Sequence, residues 1–107
     1  MAQIIVKPGV RDKLNSLVHI LYNEEYFAFI ENAKQYVVAI YEFIESIPYQ
    51  RRKLCGNKKF GSWYCRYQAN RNTSWYIGFD LEDDVYLIKF ITNNHCEDYA
   101  RFISGVN

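Results

Sequence analysis

Seven cations stand between residues 51 and 71, in the stretch RRKLCGNKKFGSWYCRYQANR: Arg51, Arg52, Lys53, Lys58, Lys59, Arg66 and Arg71. No Asp or Glu falls between Glu45 and Asp80, so sequence neighbours do not neutralise them, although the formal net charge of the whole chain is only +1. Phe60, Trp63, Tyr64 and Tyr67 are interleaved with them. Lys and Arg meet phosphates, and unpaired bases stack on aromatic side chains, so this combination is what RNA recognition uses. A run of lysines more often does no more than keep a loop solvated. Here the positive stretch continues through Arg66 onto a predicted strand, which points to a polyanion, single-stranded or ribosome-held RNA, as the partner.

Other chemistries find less support. Cys55, Cys65 and Cys96 are odd in number and lack C-x-x-C spacing, so a disulfide framework or a zinc ribbon is not expected. A metal held by Cys55, Cys65 and the pair His95-Cys96 would use no familiar ligand spacing, and buried free thiols are the expected state. Neither a metal nor another cofactor is expected. No apolar run approaches the ~20 residues that span a bilayer, and MAQIIVKPGV lacks a basic region followed by an apolar one. The expectation is a cytoplasmic protein with no membrane partner.

The elements that must position these residues follow from periodicity. At 107 residues, half of them hydrophobic and ten of them Tyr, the chain is expected to be one domain with a ring-rich core. QIIVK (3–7) reads as a strand ended by a Pro8-Gly9 turn. Leu14, Leu17, Val18 and Leu21 recur at helical spacing after Asp12, a candidate N-cap. Asn23-Glu24-Glu25 is a possible start for a second, long helix, whose apolar stripe runs through Phe29, Ile30, Ala33, Tyr36, Val37, Ile40, Phe43, Ile44 and Ile47 to a stop at Pro48. WYCRYQA (63–69), TSWYIGFD (73–80) and VYLIKFIT (85–92) read as a meander of strands separated by NRN and LEDD turns. CEDYARFI is expected to form a turn or two of helix.

The fold class expected is therefore α+β, in the order β-α-α-β-β-β, with an antiparallel twisted sheet, a helical hairpin packed on one face and the other face open. Alternation places Trp63, Cys65 and Tyr67 on one side, and Tyr64, Arg66 and Gln68 on the other. In the last strand it groups Tyr86, Ile88 and Phe90 against Val85, Leu87, Lys89 and Ile91. Arg66 and Lys89 are expected to point from the open face, since neither is readily buried unpaired.

A chain of this length with this order of elements and a basic loop after the second helix resembles the RelE/ParE toxins of bacterial toxin–antitoxin pairs. FGSWYCRY is similar to the family's loop Gly and first-meander-strand Arg. SWYIGFDLEDDVYLIKFITNNH is similar to its central hairpin with an acidic turn, followed by His95 after the last strand. On the RelE side the resemblance implies metal-independent cleavage of messenger RNA in the ribosomal A site, by attack of a ribose 2′-hydroxyl on the adjacent phosphate. Arg66 would clamp the phosphate, because a guanidinium keeps its charge and forks onto two oxygens. Arg51, Arg52, Lys53, Lys58, Lys59, Arg71 and Tyr64 would contact RNA or the ribosome. His95, with an unperturbed pKa of about 6.5, is the candidate acid–base group, whereas His19 lies within the first helix and is expected to be structural. Tyr99 is a candidate partner acid or stacking platform, and Lys89 a candidate assistant from the neighbouring strand.

On the ParE side the resemblance implies instead a non-enzymatic inhibitor of DNA gyrase. An inactive or regulatory module with the same fold is a third reading, since Ser74-Trp75 stands where many members carry Arg. Either toxin reading implies a cognate antitoxin encoded by an adjacent gene.

Overall fold

Gln3–Val6 forms β1, and Pro8 then opens a helix where a turn was expected. The computed structural model describes residues 2–23, 29–96 and 98–104. Helix α1 spans Pro8–Asn23, five residues longer at its start than an Asp12 cap implied. Proline at the first helical position forfeits only an N–H that would lack a partner anyway, and its fixed φ suits the helix. The Val10 and Arg11 amides donate to the Lys7 carbonyl as the first turn closes. Helix α2 is Ile30–Glu45; of the possible start Asn23-Glu24-Glu25, Asn23 is the last residue of α1 and the two Glu lie outside the described residues. The Ser46 hydroxyl donates to the Phe43 carbonyl at 2.6 Å, and a 3₁₀ turn at Ile47–Tyr49 carries the chain past Pro48.

The five strands are β1, β2 (Lys53–Leu54), β3 (Trp63–Gln68), β4 (Ser74–Glu82) and β5 (Val85–Asn93), arranged β1-β5-β4-β3-β2. The meander β3-β4-β5 is antiparallel, but β1 joins β5 in parallel, so the sheet is mixed and not wholly antiparallel. The expected order also lacked β2, a two-residue edge that pairs Lys53 with Tyr64 and Leu54 with Trp63. Asp83 and Asp84, both at positive φ (50° and 65°), form the tight turn between β4 and β5 that LEDD foretold.

Helices α1 and α2 pack on each other and on one face of the sheet. Val10, Leu14, Val37, Ile40 and Ile44 bury against Cys65, Trp75, Ile77, Phe79, Ile88 and Ile91. The Trp75 indole N–H donates to the Tyr36 hydroxyl at 3.0 Å, tying β4 to α2. The grouping expected along β5 fails at a bulge: Gly78 pairs with Phe90 while Phe79 pairs with Ile88, leaving Lys89 as the extra residue. Phe90 is thereby turned to the face opposite Ile88, which belongs to the helix-side core.

That second face is not open across its middle. A 3₁₀ turn, Lys58–Phe60, and helix α3, Tyr99–Ser104, lie over it and bury Phe60, Tyr64 and Phe102 with Cys55. The turn can sit there because residue 78 is glycine. A Cβ at Gly78 would collide with the Phe60 carbonyl, and one at Gly61 (φ 121°) would lie 2.6 Å from the Phe79 nitrogen. A glycine inside a strand marks such a close approach of another backbone. Gly78→Ala should therefore cost about 2–4 kcal/mol. Gly9→Ala, in an open part of α1 with nothing within 4 Å of the added methyl, should be neutral or stabilising by up to about 1 kcal/mol. Urea unfolding of the two variants measures the contrast; equal effects would contradict the close approach.

Candidate functional site

Beyond the covered middle of this face, toward β2, the sheet holds a cavity of about 360 Å³ lined by Gln50, Arg51, Lys53, Tyr64, Arg66 and Gln68. Strand alternation aims Tyr64, Arg66 and Gln68 to one side of β3, and the pairing of Lys53 with Tyr64 sets β2 at their flank. Two hydrogen bonds fix the frame. An Arg66 guanidinium N–H donates to the Ser74 hydroxyl at 3.0 Å, which orients the fork and leaves most of its five donors for a ligand. The Cys65 thiol lies 3.5 Å from the Arg51 carbonyl as its donor. Burial pushes that thiol up to about 11, against the opposing charge of Arg52, so it stays protonated and able to donate.

Among the described residues no acidic side chain lines the cavity. Among the described residues, Asp98 pairs with Lys13 and Asp80 with Lys89, and no carboxylate pairs with Arg51, Lys53 or Arg66. Three cations around one concavity focus a positive potential that an anionic ligand would satisfy.

Tyrosines form the wall between the cavity and the covered middle. Tyr64 packs edge-on against Phe102, with ring centroids 5.3 Å apart, and lies 6.2 Å from Tyr76. Tyr76 pairs with Arg66 across the strands and lies 5.3 Å from Tyr99. Tyr99 is raised above the ordinary phenol value, first by its hydrogen bond with Tyr76 and then by burial, while Arg66 pulls the other way. Tyr64 is raised mainly by burial, with Tyr76 and Cys55 adding to it and Arg66 opposing. Both phenols hold their protons at neutral pH.

The sequence-predicted site residues thus divide. Arg51, Lys53, Tyr64 and Arg66 share the cavity. Tyr64, expected to contact RNA, is only 6% exposed, with its ring packed in the aromatic cluster. Arg52 turns to the other side of the sheet, its guanidinium 4.6 Å from the Trp63 ring centroid. Lys58 and Lys59 are exposed on the 3₁₀ turn, and Arg71 is exposed in the β3–β4 turn. Lys89 contacts Asp80 at 3.2 Å and reaches the Lys58 carbonyl at 3.4 Å, an anchor for the loop.

His95 lies elsewhere. It lines a separate groove of about 400 Å³ beside α1, with Leu14, Leu17, Ile20, Trp75 and Cys96 among its neighbours. Its Nε2 is 3.0 Å from the Asn72 carbonyl oxygen and 3.2 Å from the Thr73 hydroxyl. A carbonyl oxygen only accepts, so the network assigns the proton to Nε2. The physical reason is the end of β5. The Ser74 amide donates to the Asn94 side chain at 3.0 Å, which ties the turn carrying His95 to the β3–β4 turn. Cys55 and Cys65 likewise part company, one in the open-side cluster and the other in the helix-side core.

Sequence reasoning missed Ser74, Tyr76, Gln50 and Gln68. Ser74 and Tyr76 share a parity in SWYIGFD, but only the β3–β4 register brings them to Arg66.

No family model, no curated protein and no solved structure matches the chain. Among the described residues no helix is long and apolar enough to cross a membrane.

The loop beneath the site makes a measurable demand on pH. Asp80 accepts from the Ser62 amide at 2.9 Å and from the Ser62 hydroxyl at 3.0 Å. Burial pushes its carboxyl up, but the hydrogen bonds from Lys89 and Ser62 and the Lys89 charge outweigh burial and leave it below the usual value. A depressed folded-state pKa adds stability that is fully present above the unfolded value of about 4 and is lost as pH falls through the folded value. Asp80→Asn should therefore be less stable than wild type at pH 7 and approach it in strong acid, well below the unfolded value. Urea unfolding at both pH values checks this; an undiminished difference at low pH would contradict it.

Proposed function

We infer that the chain is the toxin of a toxin–antitoxin pair, similar to the RelE/ParE proteins, and acts as an endoribonuclease on messenger RNA held by the ribosome. One observation carries this reading: Arg51, Lys53 and Arg66 line a single cavity with no acidic side chain among the described residues that line it, in a chain whose charges otherwise nearly balance. Cleavage by 2′-hydroxyl attack builds negative charge on a phosphorane, and a cation already held in place stabilises that charge without reorganising. Arg66, oriented by Ser74, is the clamp. Arg51 and Lys53 add charge, while exposed Lys58, Lys59 and Arg71 extend the field toward ribosome and RNA. The order of helices and meander strands supports the family resemblance, and an antitoxin from an adjacent gene, with acidic residues facing this cavity, is the partner that follows from it.

A second reading has its own support. Ile20 and Val38 are about half exposed on the helices, and the groove beside α1 is largely apolar. Such a surface suits a protein target, DNA gyrase on the ParE side.

Controlled expression in a bacterial host separates the two, with growth and cleavage of messenger RNA on translating ribosomes as readouts. Wild type should arrest growth and cut. Arg66→Ala should lose about 10²-fold or more of the cleavage, as removal of a donor to a developing oxyanion does. Arg51→Ala and Lys53→Ala should each lose about tenfold, and His95→Ala should stay close to wild type because it lies outside the cavity. Arrest without cleavage would favour the protein target, and no arrest would favour an inactive module.

A further inference from the structure

We propose that the Tyr64 hydroxyl is the proton donor to the leaving oxygen in this cleavage, an inference that rests on the ribonuclease reading above. Positive charge alone does not complete the reaction, because the departing 5′-oxygen is a poor leaving group until it is protonated. The expected acid, His95, lines the groove beside α1. Tyr99 is committed to Tyr76, and it does not line the cavity that holds Arg66. Tyr64 does line it, two residues from Arg66 on the same side of β3.

Packing prepares Tyr64 for the task. Its ring is fixed by Phe102 and flanked by Tyr76, so the hydroxyl is held by the core and costs little to position. Lys53 also carries a proton at the cavity, but it is exposed on a flexible stem. Giving up its proton would also remove a cation just as the phosphorane needs one. Loss of a proton from Tyr64 instead creates an anion beside Arg66, Lys53 and Arg51, where it is stabilised. Burial, Tyr76 and Cys55 keep the phenol protonated beforehand, against the pull of Arg66.

The step balances as follows. The 2′-oxygen forms a bond to phosphorus while its proton passes to water in the open cavity. The bond from phosphorus to the 5′-oxygen breaks, and that oxygen takes the Tyr64 proton. The products are a 2′,3′-cyclic phosphate and a 5′-hydroxyl end, and the phenolate regains a proton from water.

The test is cleavage on programmed ribosomes of two messengers, one normal and one with sulfur replacing the 5′-bridging oxygen at the cleaved bond. A thiolate leaves without protonation, so a missing general acid no longer matters. Tyr64→Phe should slow the normal messenger about 10²-fold or more and cut the sulfur messenger within about threefold of wild type. Lys53→Ala should slow both messengers alike, since it removes charge and not the acid. Equal slowing of both by Tyr64→Phe, or sulfur rescue of Lys53→Ala in its place, would overturn the inference and leave the ribonuclease reading standing. Failure of wild type to cut either messenger would remove that reading and the inference with it.

Should Tyr64→Phe unfold, 3-fluorotyrosine in place of Tyr64 keeps the shape with a more acidic hydroxyl. The alkaline limb of the rate on the normal messenger should then move to lower pH. An unmoved limb would count against Tyr64, since the cations and the Tyr76 and Cys55 groups around it are unchanged.

Discussion

The backbone of Phe60 crosses β4 where residue 78 has no side chain, and the second face of the sheet is built outward from that crossing. With the 3₁₀ turn seated there, the Phe60 ring lies 4.3 Å from Phe90 and 5.8 Å from Phe102, centroid to centroid. Phe102 in turn carries α3 onto the sheet and closes on Tyr64 and Tyr76. Such ring pairs each add about 0.5–1.5 kcal/mol beyond the area they bury. Asp80 holds the near end of the loop through Ser62, while the bulged Lys89 reaches both Asp80 and the Lys58 carbonyl. A single backbone contact thus decides that Tyr64 is a fixed wall and that Arg66, two residues on along the same side of β3, remains available.

The same geometry distributes the charge. Seven cations in twenty-one residues would form an undirected positive loop if the segment were unstructured. Folding sends them to different duties: Arg52 onto the Trp63 ring, Lys58 and Lys59 onto the 3₁₀ turn, Arg71 into the β3–β4 turn, and Arg51, Lys53 and Arg66 around one cavity. Among the described residues, Asp80 is engaged by Lys89 and Asp98 by Lys13. A chain of almost no net charge therefore presents a local positive site, and that asymmetry is what the functional reading draws on.

Much of the architecture was legible because it depends on local pattern. The stripe of α2, the alternation of β3 and the acidic turn at Asp83-Asp84 follow from periodicity and turn chemistry. The parallel placement of β1, the two-residue β2 and the bulge at Lys89 depend on pairing between distant segments, which no window of sequence contains. The site divides in the same way. Arg66, Lys53 and Arg51 announce themselves through a charge run, whereas Tyr76 and Ser74 join Arg66 only through the β3–β4 register. His95 was the natural candidate by chemistry alone, but the turn ending β5 fastens it to Asn72 on the other side.

The central claim is that RNA is held at the cavity between β2 and β3. Mapping amide and Arg side-chain resonances while adding a short single-stranded RNA, 2′-O-methylated so that it cannot be cut, tests this most directly. The account predicts shifts centred on residues 50–53 and 64–68, with the Arg66 guanidinium among the largest, and weakening steeply as salt is raised. Shifts centred instead on the groove of Leu17, Ile20 and His95, or no shifts at low salt, would contradict it.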